Sequence, residues 1–198
     1  MKKLFVGLAV VVGSMSFAQQ FGIKAGMNLS SISNSDKFAE GVNSKSKIGF
    51  NAGVFMNAPI SEQFSIQPEV LYNQGGSKLT GKDEVGNDHS ITLNMDYISV
   101  PVMLQFNATP QFYLEAGPQF GFLVSSKLKD NKNDNSVDLN KDNFNSFDMG
   151  IGLGAGYYFN KNIGVTARYT AGLSDIAKDN PGDALKNNVF QVGLAYKF

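Results

Sequence analysis

The sequence predicts an all-β fold, an eight-stranded antiparallel up-and-down transmembrane β-barrel. Apolar residues alternate with small or polar residues in eight segments, as they do in strands whose two faces meet different surroundings. Long polar connections alternate with short ones, which indicates consecutive antiparallel strands with all long loops at one end. Transmembrane barrels show this asymmetry, with short periplasmic turns, long outer loops and an even number of strands.

The composition limits the possible functions. Charged residues make up 17% of the 198-residue chain, below the roughly 25% of an ordinary globular protein. The 17 Lys and Arg balance the 17 Asp and Glu, so no net field attracts nucleic acid and no nucleic-acid partner is expected. The sequence contains no Cys, which excludes disulfides, thiolate metal sites, a Cys nucleophile and a lipid-modified Cys.

Residues 1–18 have the pattern of a cleaved signal peptide. Two lysines form the positive start, residues 4–12 form a short apolar run, and residues 16–18 match the small-x-small cleavage pattern. We expect cleavage after Ala18 and export of a mature chain without a helical anchor, since the apolar run is too short to span a bilayer. The remaining residues, 19–198, are predicted to form one barrel domain.

Eight strands follow from the alternation. The third contains one exception, Leu71, which falls in the polar phase. In the fourth, the apolar phase changes between Tyr97 and Ile98, which indicates a β-bulge near residues 96–98. The predicted strands cover residues 21–29, 48–57, 64–73, 91–106, 112–122, 146–159, 163–171 and 188–198.

The last strand, 188–198, is predicted to close the barrel against the first. Its even positions from Phe190 to Phe198 are large and apolar, and we expect them to face lipid. Its odd positions from Gln191 to Lys197 are small or polar, and we expect them to face a crowded lumen. Pairing with residues 21–29 would remove the edge that a last strand otherwise exposes.

The connections predict an orientation. Both termini lie at the end that carries the short turns, so we expect periplasmic termini and extracellular long loops. The short turns cover residues 59–62, 107–110 and 160–162, and the long polar loops cover residues 30–47, 76–90, 126–145 and 174–187.

A soluble barrel of the lipocalin type is the alternative fold. Such a barrel would point its apolar phase inward and would solvate its exterior with the other phase. Here that other phase is mostly Gly with Asn, Ser, Thr and isolated charges, which suits a narrow interior better than a hydrated exterior. Aromatic residues near many strand ends are typical of the two girdles at lipid interfaces. These features favour the membrane barrel.

Three short motifs resemble the outer-membrane β-barrel domain common in Bacteroidetes, the PorT-like family. They are Gln67-Pro68-Glu69-Val70-Leu71-Tyr72, Tyr97-Ile98-Ser99-Val100-Pro101-Val102 and Tyr113-Leu114-Glu115-Ala116-Gly117-Pro118.

The resemblance covers essentially the whole mature chain and implies an eight-stranded outer-membrane barrel. The resemblance also implies a terminal strand, ending on Phe198, that is similar to the signal read by the barrel-assembly machinery. The family's namesake assists a protein secretion system, but the family has no shared catalytic residues to carry over.

Four charged residues are predicted to form an interior cluster. Lys24, Glu69, Glu115 and Arg168 lie at similar heights on the first, third, fifth and seventh strands, and alternate strands fill the interior layers of small barrels. We expect two cations and two anions to pair as a plug that leaves no continuous water path, because buried charges are seldom kept unpaired. A solvated lumen lining is the alternative.

Three prolines fall at similar heights on adjacent strands. Pro68, Pro101 and Pro118 each lack the N–H that a sheet ladder requires, so bulges are expected beside them. We interpret them as residues that fix local bends. A weak seam for contact with lipid or a partner is the functional alternative.

The sequence offers little support for a metal site or catalysis. The 126–145 loop contains Asp130, Asp134, Asp138 and Asp142, but their spacing is not that of an EF-hand and lysines lie between them. The single histidine, His89, is predicted in a long loop beside Ser90, with no G-x-S-x-G motif in the chain. No metal, cofactor or enzymatic activity is expected.

The predicted function is that of a small non-enzymatic outer-membrane protein. About eight strands leave an interior that side chains fill, so a general porin is excluded. We expect a monomer that contacts outer-membrane lipid and acts in membrane integrity or through its surface loops. The alternatives are a narrow channel for small or hydrophobic solutes and an accessory component of a secretion system.

Overall fold

A computed structural model describes residues 19–33, 43–82, 88–130, 136–139, 144–178 and 183–198. The predicted signal peptide, residues 1–18, lies outside the described residues. The strands are β1 (Gln20–Ile32), β2 (Asn43–Pro59), β3 (Phe64–Lys82), β4 (Asp88–Asn107), β5 (Phe112–Asp130), β6 (Ser136–Asp138), β7 (Phe147–Tyr158), β8 (Ile163–Gly172) and β9 (Asn187–Lys197).

The strands form a closed antiparallel ring, and the predicted eight-stranded barrel is confirmed. Each ring strand pairs with its neighbours in the chain, and β1 pairs with β9 from Gly22↔Lys197 to Ile32↔Asn187. The short β6 pairs only with the long-loop end of β5, at residues 127–129, and is not a member of the ring. The described residues include no helix that is long and apolar enough to cross a membrane.

Half of the wall is taller than predicted. The strands β2 to β5 have 17, 19, 20 and 19 residues, whereas β7, β8 and β9 have 12, 10 and 11. Much of the predicted 76–90 loop is therefore strand, and His89 lies in β4 opposite Gly81 rather than in a loop. In these extensions the outward-facing residues are mostly polar or small, so the apolar alternation that predicted the strands is lost there.

A bulge lies at the predicted height, but its extra residue belongs to β5 and not to the fourth strand. The register between β4 and β5 shifts where Asp96 pairs with Ser125 and Tyr97 pairs with Leu123, so Val124 is the extra residue. The exception Leu71 also has an explanation: it is 1% exposed and faces the lumen, where it fills space beside Gly53.

The prediction of bulges beside the three prolines is wrong. At each of Pro68, Pro101 and Pro118 the ladder to the preceding strand lapses over two residue pairs and then resumes in the same register. A missing N–H removes a hydrogen bond but inserts no extra residue, so a proline can interrupt a ladder without shifting it.

The apolar phase faces outward, which rules out the lipocalin-type alternative. On the closing strand, Phe190, Leu194 and Phe198 are 43%, 60% and 72% exposed, whereas Gln191 and Ala195 are 7% and 2% exposed. Aromatic pairs lie at both ends of the apolar belt. They include Phe64–Phe106, Tyr157–Phe159 and Tyr196–Phe198 at the short-turn end, and Phe50–Tyr72, Phe120–Phe147 and Phe122–Phe147 at the other end.

Interior glycines make room for large side chains from neighbouring strands. A Cβ atom at Gly22 would overlap the ring of Phe55, and one at Gly156 would overlap the ring of Tyr113. Both rings are almost fully buried in the lumen. The inward-facing positions are therefore rich in glycine because the aromatic rings need that space in the lumen.

Gly156→Ala is expected to destabilise the barrel by about 1–3 kcal/mol, because the added methyl group overlaps the Tyr113 ring in a packed interior. The matched control is Gly75→Ala, whose Cβ would have its nearest neighbour at 3.5 Å. Denaturant titration of the refolded barrels in lipid vesicles measures both. Equal losses for the two variants would contradict the steric explanation.

Candidate functional site in the barrel lumen

The structure brings the four predicted interior charges together at the barrel axis. Lys24, Glu69, Glu115 and Arg168 project from β1, β3, β5 and β8, which alternate around the eight-stranded ring. Their exposed fractions are 6%, 2%, 4% and 4%. Two cations and two anions thus share one buried layer with no net charge.

Arg168 joins the two carboxylates. Its Nη1 and Nη2 atoms donate to Oε2 and Oε1 of Glu69 at 2.9 and 2.7 Å. Its Nε atom donates to Oε1 of Glu115 at 2.7 Å, and Nη2 lies 2.7 Å from the same oxygen. A planar guanidinium can present two edges to two carboxylates at once, which a lysine ammonium cannot do.

Three further side chains complete the cluster. Lys24 donates to Oε1 of Glu69 at 2.7 Å. Gln67 donates to the same oxygen at 2.8 Å, and Gln105 donates to Oε2 of Glu115 at 3.0 Å. Every carboxylate oxygen in the cluster therefore accepts at least one hydrogen bond. The sequence reasoning missed Gln67 and Gln105 as cluster members, and only their position in the inward phase could have indicated them.

An amide layer lies next to the cluster on the long-loop side. Asn51 donates to Oδ1 of Asn28 at 2.6 Å. Gln191 donates to the same oxygen at 3.1 Å and to Oδ1 of Asn73 at 2.8 Å. Side chains from β1, β2, β3 and β9 thereby meet across half of the lumen. Because neutral amides both donate and accept, such a network fills polar space without adding charge.

An aromatic layer lies on the other side of the cluster, toward the short turns. Phe55, Tyr113, Tyr158 and Ala195 form one buried cluster, and the two tyrosine rings have centroids 6.1 Å apart. The Lys197 ammonium lies 4.1 Å from the Tyr158 ring centroid, at the rim of this layer. The lumen is thus packed with rings at this end.

Apolar side chains fill the lumen at the long-loop end. Tyr97 and Leu123 pack against Ile176 and Leu185, which come from the connection between β8 and β9. Backbone hydrogen bonds hold that connection in place, since the N–H of Ser33 donates to the carbonyl of Lys186 at 2.9 Å and the N–H of Asn145 donates to the carbonyl of Ile176 at 3.0 Å. Between this cap and the amide layer lies a polar cavity of about 20 Å³, and a second cavity of about 10 Å³ lies beside the ion cluster. Each is about large enough for one water molecule.

The other sequence candidates do not join this site. Asp138 pairs with Lys127 at 3.3 Å on an exposed surface, and Asp134 and Asp142 lie outside the described residues. Within the described ranges, no three His, Asp or Glu side chains could together hold a metal ion. His89 is placed in β4, away from the four charges.

A family model now places the chain among known proteins. The model for the outer membrane protein beta-barrel domain matches residues 17–178. This chain belongs to that family. The assignment agrees with the closed ring and the outward apolar belt. The barrel is therefore a small outer-membrane protein that crosses the membrane with its strands.

Solved outer-membrane proteins share the fold. The crystal structure of the Yersinia pestis attachment invasion locus protein Ail is 17% identical, with a TM-score of 0.52, over 92% of this chain and 100% of that one. Neisserial surface protein A is 14% identical, with a TM-score of 0.55, over 92% of this chain and 100% of that one. At these identities the likeness concerns the fold alone. No curated protein matches the sequence.

Proposed function

We propose that this protein is a non-enzymatic outer-membrane barrel with a closed lumen, and that it acts in membrane integrity or through its surface loops. The observation that carries the proposal is the layered filling of the lumen. Rings, ion pairs, amides and an apolar cap follow one another along the axis. The ion cluster is central, because its carboxylate oxygens are already engaged and none is left open for a substrate.

The placement in the cell is part of the proposal. We place both termini in the periplasm and the taller half of the wall outside, after removal of residues 1–18. The barrel would be a monomer in outer-membrane lipid, inserted by the barrel-assembly machinery that reads the strand ending on Phe198. The three motifs of β3, β4 and β5 support a position within the PorT-like branch common in Bacteroidetes.

The wild-type barrel is expected to show no discrete conductance steps in planar bilayers. A positive control shortens one side chain in each of the four layers, as Tyr113→Ala, Arg168→Ala, Gln191→Ala and Leu185→Ala in one chain, and we expect it to conduct. The two cavities on either side of Gln191 favour a narrow channel as the second candidate. Reproducible steps from the wild-type protein, with matching solute uptake by liposomes, would favour that channel over the closed barrel.

A cellular measurement separates the two proposed roles. Loss of the protein is expected to sensitise cells to detergent and bulky antibiotics if it supports membrane integrity. A variant with a shortened β3–β4 hairpin should restore resistance in that case. If the shortened variant assembles normally but does not restore resistance, the activity would be assigned to the surface loops.

A further inference from the structure

A groove of about 490 Å³ crosses the outer wall of the barrel near the short-turn end. Short apolar residues of β2, β3 and β4 line its floor, and aromatic rings from the two ends of the chain stand at one side. The floor residues are Val54, Pro68, Val70 and Val100, and the rings are Phe21 and Phe198. The volume is within the roughly 300–1,000 Å³ of ordinary ligand sites.

The groove lies where the ladders on both sides of β3 are interrupted. The β2–β3 ladder lapses between Phe55↔Glu69 and Ala58↔Ile66, and the β3–β4 ladder lapses between Pro68↔Val102 and Leu71↔Ser99. The two interruptions are therefore adjacent on β3. At this point the strands lack paired backbone groups, and the outward side chains are short. The wall is therefore thinner here than beside the aromatic pairs.

Aromatic pairs bound the groove along the strands. The rings of Phe50 and Tyr72 have centroids 5.5 Å apart on the long-loop side, and those of Phe64 and Phe106 have centroids 5.4 Å apart on the short-turn side. Between these pairs β3 presents only Ile66, Pro68 and Val70 to the outside. The result is a depression within the apolar belt, not at its polar rim.

We propose that this groove binds one acyl chain of a membrane phospholipid. The family and the outward apolar belt place the groove in the hydrocarbon phase, so a hydrocarbon chain is the partner of matching chemistry. A second copy of the barrel fits less well, because its own convex wall cannot enter a narrow depression and stable interfaces bury about 800 Å² on each partner. A flexible chain can follow the floor and regain the dispersion contacts that the short side chains leave unmade.

The test uses the absence of Trp from the sequence. Phe21→Trp places a fluorophore at the groove, and Phe159→Trp places a matched one at the same end of the barrel but off the groove; the two rings are 56% and 61% exposed. Both barrels are refolded with phospholipid that carries brominated acyl chains, which quench Trp, and are then washed stepwise with detergent. We expect Phe21→Trp to stay quenched after Phe159→Trp has recovered its full fluorescence.

A second pair of variants tests the groove itself. Val70→Phe, added to Phe21→Trp, fills the floor and should abolish the retained quenching and the single lipid adduct seen in native mass spectrometry. Val165→Phe, on β8 across the barrel, should change neither. Recovery of Phe21→Trp in step with Phe159→Trp would overturn the proposal, as would a dimer that protects Phe21→Trp without bound lipid. The quenching comparison stands alone if Val70→Phe does not assemble.

Discussion

Arg168→Ala is expected to lower the free energy of unfolding by about 3–5 kcal/mol, the usual result of removing one partner from a buried charge cluster. Arg168 donates to both Glu69 and Glu115, so its loss leaves two buried carboxylates with Lys24 as the only cation of the cluster. Denaturant titration of the refolded barrel in lipid vesicles measures the loss. Single-channel recording of the same variant shows whether the lumen stays closed.

Two controls define what Arg168 contributes. Arg168→Lys keeps the charge but loses the planar guanidinium that contacts both carboxylates. We therefore expect its free energy of unfolding to lie between those of the wild type and Arg168→Ala. Lys197→Ala removes another cation from the lumen, one that lies over the Tyr158 ring, and should destabilise the barrel much less. Unchanged stability and unchanged closure in Arg168→Ala would refute the plug. A loss in Lys197→Ala equal to that in Arg168→Ala would show that any lumen cation has the same effect.

Phe198→Ala is expected to reduce the yield of assembled barrel severalfold while changing the stability of the assembled fraction little. The Phe198 ring is 72% exposed on the outer wall and makes an edge contact with Tyr196 at a centroid distance of 5.6 Å. It therefore buries little protein surface once the barrel has closed. The measurements are outer-membrane yield in cells and denaturant titration of the purified barrel.

The matched control for Phe198 is Phe159→Ala. Phe159 is 61% exposed at the same end and makes a similar edge contact with Tyr157 at 5.7 Å. If the terminal ring is read during assembly, Phe159→Ala should keep a normal yield. Equal yields for the two variants would reduce Phe198 to an ordinary member of the aromatic girdle.

The period-two alternation predicted the ring because a narrow membrane barrel constrains both faces of every strand. Lipid requires one face to be apolar, and the tight lumen requires the other to be small or paired. The inward position of Leu71 shows the limit of this rule, since a lumen crowded with rings is itself partly apolar. The heights of the four charges were also predictable, because alternate strands of a small barrel contribute to the same interior layer.

The features that the sequence did not predict lie where the strands no longer have lipid on one face and a tight lumen on the other. Beyond the apolar belt, at the long-loop end, β2 to β5 continue as strands without the apolar alternation, so the sequence pattern does not reveal their full length. Ile176 and Leu185 belong to a segment that looks like a polar loop, yet they fold inward to cap the lumen. Gln67 and Gln105 resemble any other inward polar residue, and only three-dimensional proximity assigns them to the carboxylates.

The ion cluster also bears on how slowly the barrel comes apart. Arg168 and Glu69 are 99 residues apart in sequence, and Arg168 and Glu115 are 53 apart. Their contacts form only after the strands from β1 to β8 have gathered into one wall, because each carboxylate comes from a different part of that wall. We expect contacts of such large sequence separation to form after the transition state, so that Arg168→Ala speeds unfolding and leaves the folding rate nearly unchanged in denaturant-jump kinetics. On this expectation the neutral layer at the barrel axis lengthens the lifetime of the folded barrel more than it favours its formation.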